Sequence, residues 1–207
     1  MDWGMLFRGA ILGFAIAAPV GPIGLLCIRQ TLERGRTCGF ISGLGAATAD
    51  AFYGCLAGLG LSFASDLLLG HQFWLRLAGG LFLLYLGLGT LRTRPGGERA
   101  LAPTSRQKLI YAFGSTFFLT VTNPLTVLSF AAMFGGLGVA SGSNSYGSTA
   151  LLVSGIFAGS AAWWLFLSST VGLLREKLQP EALRWVNTIA GSILVGFGFF
   201  ALLSIRS

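Results

Sequence analysis

Long apolar runs alternate with short polar segments along this chain, and the polar segments carry most of its charge. A bilayer-spanning α-helix needs about 20 mostly apolar residues, and six runs approach or exceed that length. The pattern therefore predicts an all-α polytopic membrane protein in which residues 1–207 form a single transmembrane domain. In chain order, its six spans cover residues 6–28, 39–64, 73–91, 109–139, 149–174 and 186–205.

Prolines interrupt two of these spans. Span 1 contains Ala18-Pro19-Val20-Gly21-Pro22, and span 4 contains Thr122-Asn123-Pro124. A proline removes a backbone donor and frees a carbonyl one turn earlier. Lipid cannot satisfy these groups, so a broken helix persists only where protein or a water-filled cavity covers the break. We therefore expect helices 1 and 4 to be broken beside a cavity.

Asp50 lies near the middle of span 2. An ionisable residue at that depth costs at least ~2.5–3.5 kcal/mol, which makes it a functional candidate by default. Its neighbours at helical spacing are small, apart from Tyr53. The functional hypothesis is an acid that binds a substrate ammonium or exchanges a proton. The structural alternative is an acid hydrogen-bonded to a freed backbone donor or to Thr48.

The two breaks and the acid together suit a zwitterion. The N-terminus of a half-helix directs partial positive charge at a carboxylate, and freed carbonyls accept an ammonium. The alternatives are kinks required only for packing and, for the tryptophans, packing or lipid contact. The residues predicted to bind substrate or to couple transport are Asp50, Pro19, Gly21, Pro22, Thr48, Tyr53, Thr122, Asn123, Pro124, Ser160, Trp163 and Trp164.

The two halves of the chain resemble each other. Ser42-Gly43 in span 2 recurs as Ser154-Gly155 in span 5, and Ala78-Gly79 in span 3 recurs as Ala190-Gly191 in span 6, at the same offset. Each half has three spans, so the second half must be inverted relative to the first. This predicts two inverted three-helix repeats with the site between them. Their ranges are about 1–91 and 109–207, joined by a linker over 92–108.

Composition agrees with this architecture. The chain is 54% hydrophobic and 10% charged, against roughly 25% charged in soluble domains. The net charge of +7 does not indicate a nucleic-acid partner, because the basic residues concentrate in loops between spans. His71 is the only histidine, and Cys27, Cys38 and Cys55 form no C-x-x-C pair. We therefore expect neither a metal site, nor a cofactor, nor an enzyme.

At these motifs the sequence resembles the lysine-exporter (LysE/RhtB) family of bacterial amino-acid exporters. The resemblance implies six spans and proton-driven efflux of an amino acid or a derivative across the inner membrane. Many members carry Pro-Gly-Pro at the first break and a lysine after the Asn-Pro, where this chain has Pro19-Val20-Gly21-Pro22 and Leu125. The residues that carry the resemblance are the first break, Asp50 in a Gly-rich span 2, Gly79 to Gly89, Asn123-Pro124 and Gly159-Ser160-Ala161-Ala162-Trp163-Trp164.

Other functions fit the residues less well. A cation or metal exporter of a related fold would find few ligands, since Asp50 is the one convincing acid within a span. A membrane thiol carrier needs a cysteine pair, and a membrane enzyme needs a nucleophile beside a base. The expected partners are an amino acid and the lipid bilayer. The G-x-x-x-G motifs at 54–58 and 155–159 also allow a homodimer.

The distribution of basic residues predicts the orientation. Eleven of the 14 Lys and Arg residues fall in the connections between spans 1–2, 3–4 and 5–6, and the other three are Arg8, Arg76 and Arg206. The positive-inside rule places those connections in the cytoplasm and both termini outside. Reporter fusions within residues 92–108 and at the C-terminus should report inside and outside, respectively. A cytoplasmic C-terminus would contradict the six-span arrangement.

Overall fold

The architecture was obtained from a computed structural model. It describes residues 3–19, 21–58, 72–92, 106–123, 126–127, 129–130, 146–175 and 180–203, with the backbone alone for 57, 58, 72, 75 and 180–184. All regular secondary structure in these residues is α-helical. The helices are α1 (Trp3–Ala17), α2 (Pro22–Arg34), α3 (Arg36–Gly58), α4 (Gln72–Arg92), α5 (Arg106–Thr122), α6 (Tyr146–Arg175) and α7 (Pro180–Leu203).

Apolar side chains cover the outside of the bundle, while polar ones lie within it. Phe7, Ile11 and Phe200 are each more than two-thirds exposed, whereas Ser42 and Thr116 are fully buried. A water-soluble monomer rarely exposes large contiguous apolar surface. These exposed apolar faces are those of a helical membrane protein.

The structure contains the break predicted for span 1. Helix α1 ends at Ala17 and α2 begins at Pro22, and the two axes differ in direction by 81°. Proline suits the first position of a helix because the missing N–H would have no intrahelical partner there. Among the described helices, α1 and α2 are long and apolar enough to cross a membrane only when taken together. In contrast, α6 and residues Trp185–Leu203 of α7 each suffice alone.

The connection predicted over residues 29–38 is helical apart from Gly35. Helix α2 continues to Arg34, and Gly35 alone separates it from α3. The φ of Gly35 is 94°, a conformation open to glycine, and its N–H donates a hydrogen bond to the Thr31 carbonyl. The connection predicted over residues 175–185 becomes helical at Pro180, and the candidate span that follows it begins at Trp185. At the first connection, the side chains of Arg29 and Glu33 find partners inside the protein, whereas Arg36 is exposed.

The second interruption falls where span 4 was predicted to break. Helix α5 ends at Thr122, Asn123 is not helical, and Thr126 and Val127 are helical again. The Asn123 carbonyl accepts a hydrogen bond from the Val127 N–H at 3.2 Å, which begins the new turn. Pro124 and the predicted span beyond Phe130 lie outside the described residues.

Facing residues give the relative direction of each helix pair. Residue numbers rise together along α1 and α6 and along α3 and α5, so these pairs run parallel. They run in opposite senses along α3 and α6 and along α4 and α7, which are therefore antiparallel. The facing pairs are Leu6–Gly155 and Ala10–Gly159, Ser42–Thr116 and Tyr53–Val121, Gly43–Trp164 and Gly54–Ile156, and Gly80–Gly198 and Gly87–Gly191.

Glycines bring α1 and α6 into backbone contact. A Cβ at Gly9 or Gly13 would overlap carbonyl oxygens of α6, and a Cβ at Gly155 or Gly159 would overlap those of α1. Backbones approach this closely only where side chains are absent, the usual device for packing helices in lipid. The G-x-x-x-G at 155–159 therefore serves packing within the protomer.

The close contact of α1 and α6 predicts that two Gly→Ala substitutions differ in their effect on stability. Gly159→Ala places a methyl group on the Ala10 carbonyl oxygen, so α1 and α6 must separate. We expect a loss of about 1–3 kcal/mol, the usual cost of overpacking. Gly114→Ala is the matched control, because a Cβ there meets no atom within 4 Å. Thermal unfolding of the purified proteins in detergent measures both, and an unchanged Tm for Gly159→Ala would contradict the close packing.

Candidate functional site

A cavity of about 200 Å³ lies where the first break, the second interruption and the middle of α3 meet. One of its lining side chains, Asp50, is charged. The rest of the wall combines aliphatic and small residues with a few hydroxyl and amide groups. The lining residues are Ile16, Ala17, Pro19, Gly21, Pro22, Ile23, Ala46, Asp50, Thr120, Asn123, Thr126, Ser129 and Trp164.

Two side chains of α6 hold Asp50 in place. The Ser160 hydroxyl donates a hydrogen bond of 2.7 Å to Asp50 Oδ2, and Trp164 Nε1 donates one of 3.1 Å to the Ser160 oxygen. Ser160 and Trp164 are four residues apart and so share a face of α6. Asp50 is 3% exposed, and within the described part of the chain Ser160 is its one hydrogen-bond partner. No described residue is hydrogen-bonded to its other oxygen, Oδ1.

The fold brings together most of the residues that the sequence singled out. Pro19, Gly21 and Pro22 line the cavity from the first break, and Asn123 lines it from the second. Asp50 and Trp164 complete its wall, and Ser160 reaches it through the carboxylate. Segments far apart in the chain thus meet at one buried acid.

Two predicted threonines bond to their own helices instead. The Thr48 hydroxyl donates to the Leu44 carbonyl, and the Thr122 hydroxyl donates to the Phe118 carbonyl, both at 2.8 Å. Threonine satisfies its hydroxyl in this way inside many helices. Neither side chain is among those that line the cavity.

Two predicted aromatic residues pack beside the cavity without lining it. The Tyr53 hydroxyl donates to the Val121 carbonyl, one residue before the end of α5, and its ring packs on Phe130. The half-buried Trp163 ring meets Phe14 edge to face, with 5.3 Å between ring centroids. Tyr53 therefore supports the helix end at the second interruption, and Trp163 joins α6 to α1.

Three polar lining residues were missed in the sequence. Thr120, Thr126 and Ser129 line the cavity together with Asn123. These four recur every third residue, a spacing that keeps them near one face of a helix. The sequence therefore contained a signal for these residues, namely regularly spaced polar residues in an otherwise apolar span. The prediction used only the break at the proline.

Comparison with known proteins connects this cavity to a family. The family model described as LysE type translocator matches residues 14–205, and so contains every residue that lines the cavity. The chain belongs to the LysE type translocator family. No solved structure matches it.

Curated relatives cover nearly the whole chain. The "Putative amino acid efflux protein YcgF" of Bacillus subtilis (strain 168) is 33% identical over 92% of this chain and 91% of its own. The arginine exporter protein ArgO of Enterobacter sp. (strain 638) is 26% identical over 91% and 88%, respectively. The threonine efflux protein of Escherichia coli (strain K12) is 26% identical over 92% and 93%. The relatives' names thus include efflux of both a basic and a neutral amino acid.

The charged group in the described lining of the translocator's cavity is one carboxylate, that of Asp50. Among the described residues, no group of three or more His, Cys, Asp or Glu is placed to hold a metal ion. The three cysteines are free, with Cys27 and Cys38 buried and Cys55 exposed. A single carboxylate beside polar groups suits an ammonium better than a divalent cation, which takes six or more oxygen ligands.

A second polar cluster lies at the other end of α2. Glu33 Oε1 accepts hydrogen bonds of 2.9 Å from Arg29 Nε and from Asn187 Nδ2 of α7. Arg29 Nη1 also donates to the Thr90 hydroxyl of α4 at 2.6 Å. These four residues, the Glu33 cluster, connect three helices. They explain why α2 continues past the predicted end of span 1.

Arg175 closes the C-terminal end of α2. Its Nε donates to the Leu32 carbonyl at 2.9 Å, and its Nη2 donates to the Glu33 carbonyl at 3.4 Å. The last carbonyls of a helix have no intrahelical partner, and a cation beside them is favourable. The last residue of α6 thus fixes the point where α2 turns into α3.

The Glu33 cluster predicts a stability effect remote from the cavity. Glu33→Ala leaves Arg29 without its carboxylate and Asn187 without its acceptor. We expect a loss of about 1.5–3 kcal/mol, typical of hydrogen bonds to charged groups. Thr170→Ala is the control, since its exposed hydroxyl bonds only within its own helix. Equal melting temperatures of the two variants would show that the cluster contributes nothing to stability.

Proposed function

We propose that this protein exports amino acids from the cytoplasm across a bacterial inner membrane, with the cavity at Asp50 as its substrate site. The observation that carries the proposal is a buried carboxylate in the wall of a cavity between two interrupted helices. Discontinuous helices at a midplane site are the usual construction of secondary transporters. The relatives' names, which describe amino acid efflux, support the choice of substrate.

Each charge of an amino acid finds a complement in this cavity. The substrate ammonium binds Asp50 Oδ1, which the Ser160 hydrogen bond leaves open. The substrate carboxylate binds at the start of α2, where Gly21 caps the helix without a side-chain hydrogen bond. The first N–H groups of a helix lack intrahelical partners and carry partial positive charge. Gly21 and Ile23 bring this helix start into the wall of the cavity.

Asp50 also provides a route for proton coupling. A proton and a substrate ammonium each neutralise the same carboxylate, so the two cannot occupy it together. A site of this kind exchanges an outgoing amino acid for an incoming proton. Asp50 is buried, and the described lining contains no Lys or Arg. This supports the role in coupling, because no fixed cation of that lining competes with a proton or a substrate for the carboxylate.

The transport unit we propose has six spans in two inverted repeats, with both termini outside. In support, α1 packs parallel to α6 in the same way as α5 packs parallel to α3. Gly155 contacts Leu6 and Ala10 with the backbone geometry by which Gly45 contacts Phe113 and Phe117. Gly45 and Gly155 are separated by 110 positions, two fewer than in the match of Ser42-Gly43 with Ser154-Gly155, and Asp50 and Ser160 are separated by the same 110. The hydrogen bond of the proposed site would then join equivalent positions of the two repeats.

Asp50→Asn tests the site. Asparagine keeps an acceptor for Ser160, so the variant should fold and reach the membrane normally, but it cannot hold an ammonium by charge or exchange a proton. An ion pair worth at least ~1.4 kcal/mol corresponds to an export loss of about tenfold or more. Export of labelled amino acids from loaded vesicles measures the effect.

Asp66→Asn is the matched control, because it makes the same chemical change in the loop predicted after span 2. It should export like the unmodified protein. Normal export by Asp50→Asn at normal membrane abundance would reject Asp50 as the substrate and coupling residue. The Tm of the purified variant separates a loss of folding from a loss of transport.

A further inference from the structure

The cavity holds a single charge, and the sequence limits what else could reach it. Among the described lining residues, Asp50 is charged and none is Lys, Arg or His. Residues 109–174, which supply five of these lining residues, contain no charged side chain in the sequence. The other acid with a described side chain, Glu33, is bonded to Arg29 and Asn187. The described site therefore offers one negative charge, which can pair with one positive charge of a substrate.

The α-amino group of the substrate uses that one carboxylate. An arginine or lysine substrate would bring a second cation on its side chain. The wall that would surround it is largely apolar, with Ile16, Ala17, Ile23, Ala46 and Trp164 among the lining residues. Burying a cation without a paired acid costs several kcal/mol. A neutral side chain meets no such penalty, and an aliphatic one gains from the contact.

The size of the cavity limits the substrate further. Its volume of about 200 Å³ suits a small molecule such as a single amino acid rather than a peptide. Thr120, Thr126 and Ser129 provide hydroxyl groups along one side of the wall, so a hydroxylated side chain also finds partners.

We propose that this cavity selects neutral amino acids with a short aliphatic or hydroxylated side chain over arginine and lysine. The specificity rests on the export function proposed above and goes beyond it. The relatives' names include both an arginine exporter and a threonine efflux protein, so similarity alone leaves the choice open. The charge count of the described lining favours the neutral class.

Transport by the reconstituted full chain tests the selection. Proteoliposomes loaded separately with labelled valine, leucine, threonine, arginine and lysine should release the first three at least about tenfold faster than the last two, given the cost of an unpaired buried cation. Release of arginine and lysine but not of the neutral amino acids would overturn the specificity while leaving amino-acid export intact. Release of none of the five would overturn both the specificity and the export function.

A gain-of-function variant tests the charge count itself. Thr126→Asp adds a second carboxylate to the lining in a side chain of similar size, and should raise the ratio of arginine to valine release about tenfold. Thr170→Asp adds the same charge on the exposed face of α6 and should leave the ratio unchanged. An unchanged ratio in Thr126→Asp at normal abundance would overturn the charge argument. Should Thr126→Asp fail to accumulate, the five-substrate comparison with the unmodified chain decides.

Discussion

The hydrogen bond from Ser160 to Asp50 lies at the contact of α3 and α6, on which the rest of the bundle is arranged. Removing a carboxylate from water is costly, and one neutral donor offsets only part of that cost. The contact is close because Gly43 lies against Trp164 and Gly54 lies against Ile156. Helix α1 then packs on α6 and α5 packs on α3, which brings both interruptions beside the acid. Each interruption thus lies beside Asp50 because of the way in which the helix that carries it packs.

The site residues that could be predicted from the sequence are those that interrupt the local apolar pattern. Pro22, Asn123 and Asp50 each interrupt an apolar run, and each lines the cavity. The direction of Thr48 and Tyr53 was not readable, because a helix in lipid is apolar on most sides and its periodicity does not say which face turns inward. On α3 that rotation is set by glycines facing α5 and α6, such as Gly45 and Gly43. Such contacts join residues far apart in the sequence.

The ends of the spans were harder to predict than their centres. The rule that charged residues mark the water boundary placed the end of span 1 at residue 28, yet α2 runs on to Arg34. Arg29 and Glu33 are four residues apart, a spacing that supports a helix and was visible in the sequence. Their other partners, Thr90 and Asn187, come from α4 and α7 and could not be inferred from spacing. These distant partners keep the charges within the bundle.

Glu33 and Asp50 show how a buried acid serves stability in one place and leaves room for chemistry in another. Glu33 has a cation four residues away and a second donor from another helix. Asp50 has no cation beside it and accepts one described hydrogen bond, from a serine. An acid that only joined helices would gain from a counter-ion, as Glu33 does, and an unpaired one lowers the stability of the empty protein. The exchange of a proton for a substrate ammonium that we propose at Asp50 is consistent with this difference, since each of the two neutralises a single carboxylate.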